Sequence, residues 1–93
     1  MSQKHIKVYR EFYGIGDQDQ SPMCAICSNQ ANDIHHIYSR GLKAFIFDGK
    51  SYGTNEIINL IALCRKHHED AHGGVYLKEY LLAKNEILIL NHG

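Results

Sequence analysis

A small α+β fold is the prediction from this sequence, and three observations make it. Both ends carry apolar residues at helical spacing, and the middle carries short β-branched runs broken by glycines. On either side of that middle, Cys24-Ala25-Ile26-Cys27 and Cys64-Arg65-Lys66-His67 each set two soft metal ligands three positions apart. The chain has 93 residues, 44% of them hydrophobic, and one proline, which fits a single folded domain over residues 1–93. At that size a hydrophobic core alone gives marginal stability, so a structural metal is a natural supplement.

Taken in order, residues 3–13 place Ile6, Val8, Tyr9, Phe12 and Tyr13 close to helical spacing, and Gly14-Ile15-Gly16 ends that helix. Residues 16–22 are polar and read as a loop. Residues 23–27 carry the first ligand pair on a tight turn. Residues 33–38 alternate loosely around β-branched Ile34 and Ile37 and read as a short strand. Residues 39–55 contain Gly41, Gly49 and Gly53 and read as a long loop with a helical turn at 42–47. The apolar stretch 55–63 reads as a helical turn followed by a strand that enters Cys64. From Arg65 the pattern is helical, with His68 and His72 spaced i, i+4 on one face, until Gly73-Gly74 breaks it. Residues 75–90 read as an amphipathic helix, its main part 75–88, whose tyrosines belong to a core or an interface.

Ten basic and ten acidic side chains cancel, so net charge gives no support to a polyanionic partner. Local charge differs: Arg40, Lys43 and Lys50 lie in the central segment, and Arg65 and Lys66 lie inside the second ligand pair. No run approaches the roughly 18 apolar residues of a membrane span, so no membrane partner is expected. The first residues lack the apolar stretch of a secretory signal, and three cysteines make no closed disulfide set. Both features lead us to expect an intracellular, reducing compartment with thiolates used as ligands.

The two pairs suit one tetrahedral Zn2+ held by Cys24, Cys27, Cys64 and His67. His68 competes with His67 for the fourth position, and the spacing favours His67. Beyond this clamp stands a second cluster: His35, His36, His68 and His72. His35 and His36 are adjacent on a strand, so their side chains diverge and cannot share one task. His68 and His72 can grip a metal together, and His35 can complete a three-histidine set with positions open to water and a phosphate oxygen. His36 is then free for proton transfer, since histidine ordinarily titrates near pH ~6.5. Asn59 interrupts an apolar run, and a buried amide there must cap a turn or orient a neighbour. His5 and His92 lie near the ends and read as ordinary surface residues.

The ordered motifs Ile34-His35-His36-Ile37, Asn59-Leu60-Ile61-Ala62-Leu63-Cys64, His67-His68 and His72 resemble the HNH endonucleases of ββα-metal fold, over about residues 23–73. The resemblance implies DNA as partner and hydrolysis of phosphodiester bonds. It implies that His36 activates water, that Asn59 fixes the loop orienting His36, and that His35, His68 and His72 hold one catalytic divalent ion. Cys24, Cys27, Cys64 and His67 would hold the separate structural zinc. Many members have a fourth cysteine at the position of His67 and an acid at that of His35. Both replacements keep ligand chemistry, and the second shifts preference from Mg2+ toward Mn2+, Ni2+ or Zn2+. Arg40 is the candidate for a further phosphate contact. No recognition helix is evident, so nicking or weakly specific cutting is expected. Compact members of this kind are often phage or mobile-element proteins, and some work inside a larger DNA-processing or packaging complex.

Two other readings compete. His68-Glu69-Asp70-Ala71-His72 matches H-E-x-x-H, the zinc metalloprotease signature with Glu69 as base, but leaves the cysteines and His35-His36 unexplained. A non-enzymatic zinc module binding nucleic acid or protein explains the cysteines and makes the second cluster incidental.

Overall fold

The computed structural model describes residues 4–15, 22–31 and 33–92. The polar segment expected to be a loop at 16–22 lies largely outside the described residues. The elements in chain order are α1 (Lys4–Tyr13), β1 (Asp33–His36), β2 (Phe45–Phe47), β3 (Lys50–Tyr52), a 3-10 turn (Ile57–Asn59), β4 (Leu60–Leu63), α2 (Arg65–His72) and α3 (Lys78–His92). The protein is therefore a small mixed α+β fold with three helices and two antiparallel two-stranded sheets, β1–β4 and β2–β3.

β4 organises the whole. All four of its residues are buried, because it is covered on both faces. Leu60 and Ala62 point to a cluster with Tyr9, Val8 and Tyr13 of α1 and with Ile34 of β1. Ile61 and Leu63 point the other way, to Ile37, Phe45, Leu81 and Leu82. Fully burying Leu60, Ile61 and Leu63 stabilises the fold by about 1.5–3 kcal/mol each. Register transfers this two-sidedness to β1. His35 sits opposite Ile61 and shares its face, whereas His36 sits opposite Leu60 and shares the face toward α1.

α1 stops where the sequence indicates. Gly14 takes the left-handed φ of 71°, and the Ile15 N–H closes back on the Arg10 carbonyl, a Schellman end. α2 ends the same way at Gly74, with the Val75 N–H on the Asp70 carbonyl.

Three expectations are corrected. Residues 39–55 are not one loop with a helical turn at 42–47: residues 45–52 form a β-hairpin, β2–β3. Asp48-Gly49, both at positive φ, is the two-residue turn that matches strand twist. The strand expected over 33–38 ends at His36, because Asn59 occupies the next backbone groups: its carbonyl accepts from the Ile37 N–H, and its side chain binds Tyr38. The C-terminal helix begins at Lys78 rather than 75 and runs to His92, since the Val75 N–H closes the end of α2 on the Asp70 carbonyl and the first carbonyl to accept a bond of α3 is that of Leu77.

α3 is fastened to the centre by a residue the periodicity hides. Asn85 is 1% exposed, and its Nδ2 donates to the carbonyls of Ile57, Ile58 and Leu60 at 3.1, 2.8 and 2.9 Å. Leu81 and Leu82 are buried beside it, while Leu77, Tyr80, Ile87 and Leu90 are exposed. Among the described residues no helix is long and apolar enough to cross a membrane.

Candidate metal centres

The first centre assembles from two turns. Cys24–Cys27 lies on a knuckle in which the Ser28 N–H returns to the Cys24 carbonyl and the Ala25 N–H is held by the Ala62 carbonyl of β4. Cys64 follows β4 directly and caps α2, which carries His67 one turn on. Both pairs are thus anchored to β4. The four ligand atoms all lie within 4.8 Å of one another. Cys27 Sγ to Cys64 Sγ is 3.7 Å, and His67 Nδ1 is 3.7 Å from Cys24 Sγ and 3.2 Å from Cys64 Sγ. A tetrahedral zinc with bonds of about 2.3 Å to sulfur and about 2.1 Å to nitrogen sets its ligands about 3.8 Å (S to S) and about 3.6 Å (S to N) apart. The observed edges fit, so the four side chains could hold a metal such as zinc. Burial pushes the Cys24 thiol up, but the backbone N–H groups of Cys64, Ile26 and Cys27 outweigh it and bring the thiol down to about 6, favouring the thiolate a metal requires.

The second centre joins β1 to α2. His35, His68 and His72 also bring their ligand atoms within 4.8 Å of one another. His68 Nε2 and His72 Nε2 are 3.1 Å apart, the spacing of two nitrogens sharing an ion at about 2.1 Å. His35 is buried, and that burial, with the neighbouring His68, His72, His36 and Lys78, lowers its pKa to about 4. The ring therefore stays neutral, with a lone pair for a metal. His67 and His68 divide as their spacing suggests: His67 faces the cysteines and His68 the histidines.

Asp33 completes this centre, and the sequence reading missed it. Its Oδ2 accepts from His68 Nδ1–H at 2.9 Å, which fixes the ring and leaves Nε2 for a metal. Asp33 precedes His35 by two residues and so lies on the same strand face, a period-2 relation visible in the sequence. Asp33→Asn is expected to weaken divalent-ion binding at His35, His68 and His72 about 10- to 100-fold, read by calorimetric titration of zinc-loaded protein. An unchanged affinity would deny Asp33 this role.

His36 occupies the other side of β1. Its Nε2 is 2.9 Å from Asn55 Oδ1, and the ring of His5 in α1 packs on it at 4.5 Å between centroids. His5 is thus not an ordinary surface residue, whereas His92 packs on the rings of Phe12 and Tyr13 and lies in neither histidine cluster. Burial, followed by the nearby His36 and Arg40, lowers the His5 pKa.

Asn59 is 0% exposed and uses its whole amide. Oδ1 accepts from the Tyr38 N–H at 2.7 Å, and Nδ2 donates to the carbonyls of Tyr38 and Thr54 at 3.0 and 2.8 Å. It therefore ties the backbone just after His36 to the backbone just before Asn55. Asn59→Ala would leave these groups buried and unpaired, and is expected to cost about 2–4 kcal/mol. Urea unfolding of the zinc-loaded protein measures this, and a loss under about 1 kcal/mol would contradict it.

His35, His36, His68 and His72 border one open cavity of about 630 Å³. Arg40 and Lys78 line it too, the latter held over the Tyr38 ring at 5.7 Å. None of the four residues of the Cys24–His67 cluster touches it, and Glu69, the base of the protease reading, is exposed and outside it. Lys43 and Lys50, also noted in the sequence, are exposed and do not line the cavity. No match to this chain is found among protein-family models, curated proteins or solved structures.

Proposed function

We infer that this protein is a metal-dependent DNA endonuclease of the HNH type, with β1, β4 and α2 as its ββα-metal unit. The observation that carries this reading is the division of the histidines. One set, His35, His68 and His72, gathers ligand nitrogens at one point, and His36 stands apart from them on the same cavity. A clamp serving stability alone needs none of these four.

The residues have distinct tasks. His35, His68 and His72 would hold the divalent ion, and their imidazole character favours Mn2+, Ni2+ or Zn2+ beside Mg2+. What the ion supplies when bound is polarisation of the phosphodiester and stabilisation of charge on the leaving 3′-oxygen. His36 takes the proton from the attacking water. Arg40 and Lys78 offer cationic contacts for phosphate oxygens flanking the scissile bond. Cys24, Cys27, Cys64 and His67 would hold the zinc that ties the knuckle to β4 and α2. The zero net charge favours weak intrinsic DNA affinity, and hence a role within a larger DNA-processing or packaging assembly.

Supercoiled plasmid incubated with zinc-loaded protein and Mg2+, Mn2+, Ni2+ or Zn2+ in turn tests the reading. Nicking or linearisation with at least one ion is expected, stopped by chelation and retained by Glu69→Gln. Folded, zinc-loaded protein that leaves plasmid intact with every ion would contradict it and favour a zinc-stabilised binding module.

A further inference from the structure

We propose that Asn55 and His5 are positioning residues for His36: Asn55 fixes which imidazole nitrogen carries the proton, and His5 fixes the plane of the ring. The proposal rests on the nuclease reading above and assigns roles to two residues outside its motifs.

The contact between Asn55 Oδ1 and His36 Nε2 is 2.9 Å. A carboxamide oxygen only accepts, so a neutral His36 must place its hydrogen on Nε2 to make this bond. The lone pair is then on Nδ1, which makes no hydrogen bond among the described residues. A base held in one tautomer, with one free nitrogen, avoids the loss from rings protonated on the wrong side.

Asn55 is itself held. The neighbouring Thr54 carbonyl accepts from the fully buried amide of Asn59, and that same amide binds both backbone groups of Tyr38, two residues after His36. Asn59 thus sets the distance between the two chain segments that Asn55 and His36 bridge. Asn59 acts on backbone and Asn55 on the ring, so their losses should differ: the first costs stability and the second costs turnover.

His5 approaches from a separate element. His36 shares the β1–β4 face that α1 covers, and α1 brings the His5 ring to 4.5 Å from it at a 45° tilt. The His36 ring is therefore gripped at Nε2 by Asn55 and on its surface by His5. This also gives α1, which lies outside the ββα-metal unit, a part in the chemistry.

The test measures kcat and KM for plasmid nicking by zinc-loaded full-length protein, with the divalent ion that best supports wild-type cutting. Asn55→Ala is expected to lower kcat about 10- to 100-fold with KM within about twofold. Asn55→Asp, which keeps the accepting oxygen, should recover most of that loss. His5→Ala should lower kcat severalfold, and His5→Phe, which keeps a ring, should lower it less. A long-range 1H–15N spectrum near pH 8 gives a readout independent of cutting: His36 protonated on Nε2 alone in the wild type, and a mixture of tautomers in Asn55→Ala. Mixed tautomers in the wild type would overturn the proposal. So would full kcat in Asn55→Ala while His36→Ala is inactive, and in that case the nuclease reading stands. Wild-type protein that cuts nothing overturns the nuclease reading, and the positioning roles fall with it.

Discussion

Replacing Cys64 by Ser is expected to release the zinc and unfold the domain. Cys64 is where the two halves of the clamp meet: its sulfur is 3.7 Å from that of Cys27, and the residue directly follows β4 and caps α2. Without a metal the knuckle keeps one backbone bond to β4 and the partial burial of Ala25, Ile26 and Cys27, with Cys24 its one deeply buried side chain. Binding free energy of a structural zinc is folding free energy, so losing a ligand should remove about 3–5 kcal/mol or more, most of the stability of a domain this size. Circular dichroism should show a lost cooperative melt, with zinc appearing in a dye assay. His67→Cys, which supplies a fourth thiolate, should keep both the metal and the melt. A Cys64→Ser protein melting cooperatively within a few degrees of wild type would mean the cluster is not a structural metal site.

His36→Ala is expected to lower kcat for plasmid nicking by about 10²- to 10⁴-fold, the usual contribution of a positioned base. Stability should hardly change. His36 is half-buried, its ring meets Asn55 and the His5 ring, and it has no place in either apolar cluster. Divalent-ion binding should persist as well, because His36 is not among the three histidines whose ligand atoms converge. Loss of cutting with fold and ion intact separates His36 from His35, whose replacement should remove the ion. Equal cutting by His36→Ala and wild type would deny His36 the role of base.

What the sequence disclosed and what it hid follow from the range of each interaction. The clamp was legible because C-x-x-C and C-x-x-H pairs are local turns, and only the meeting of the two had to be inferred. The separation of His67 from His68, and of His35 from His36, was legible from helix and strand geometry alone. The hairpin at Asp48-Gly49 was misread although its signal is present. Three glycines across 39–55 suggested a loop, and the two short flanking strands carry little periodicity. Asp33, Asn55, His5, Asn85 and Lys78 were not found. Each meets a partner at least 19 residues away, as Asn55 does with His36, and apart from the period-2 relation of Asp33 to His35 no local pattern announces such a contact. Asn59 was suspected from its apolar surroundings, but the two loops it joins could be seen only in the fold.

The proposed function divides the two clusters: one maintains the fold and the other serves the chemistry. Calorimetric titration of zinc-loaded protein with Mn2+, compared with a His68→Ala, His72→Ala double variant, tests it most directly. One further ion per wild-type chain and none in the variant is the expected result, with the melting behaviour of the zinc-loaded fold retained by both. No additional ion in the wild type, or equal uptake by the two proteins, would contradict it.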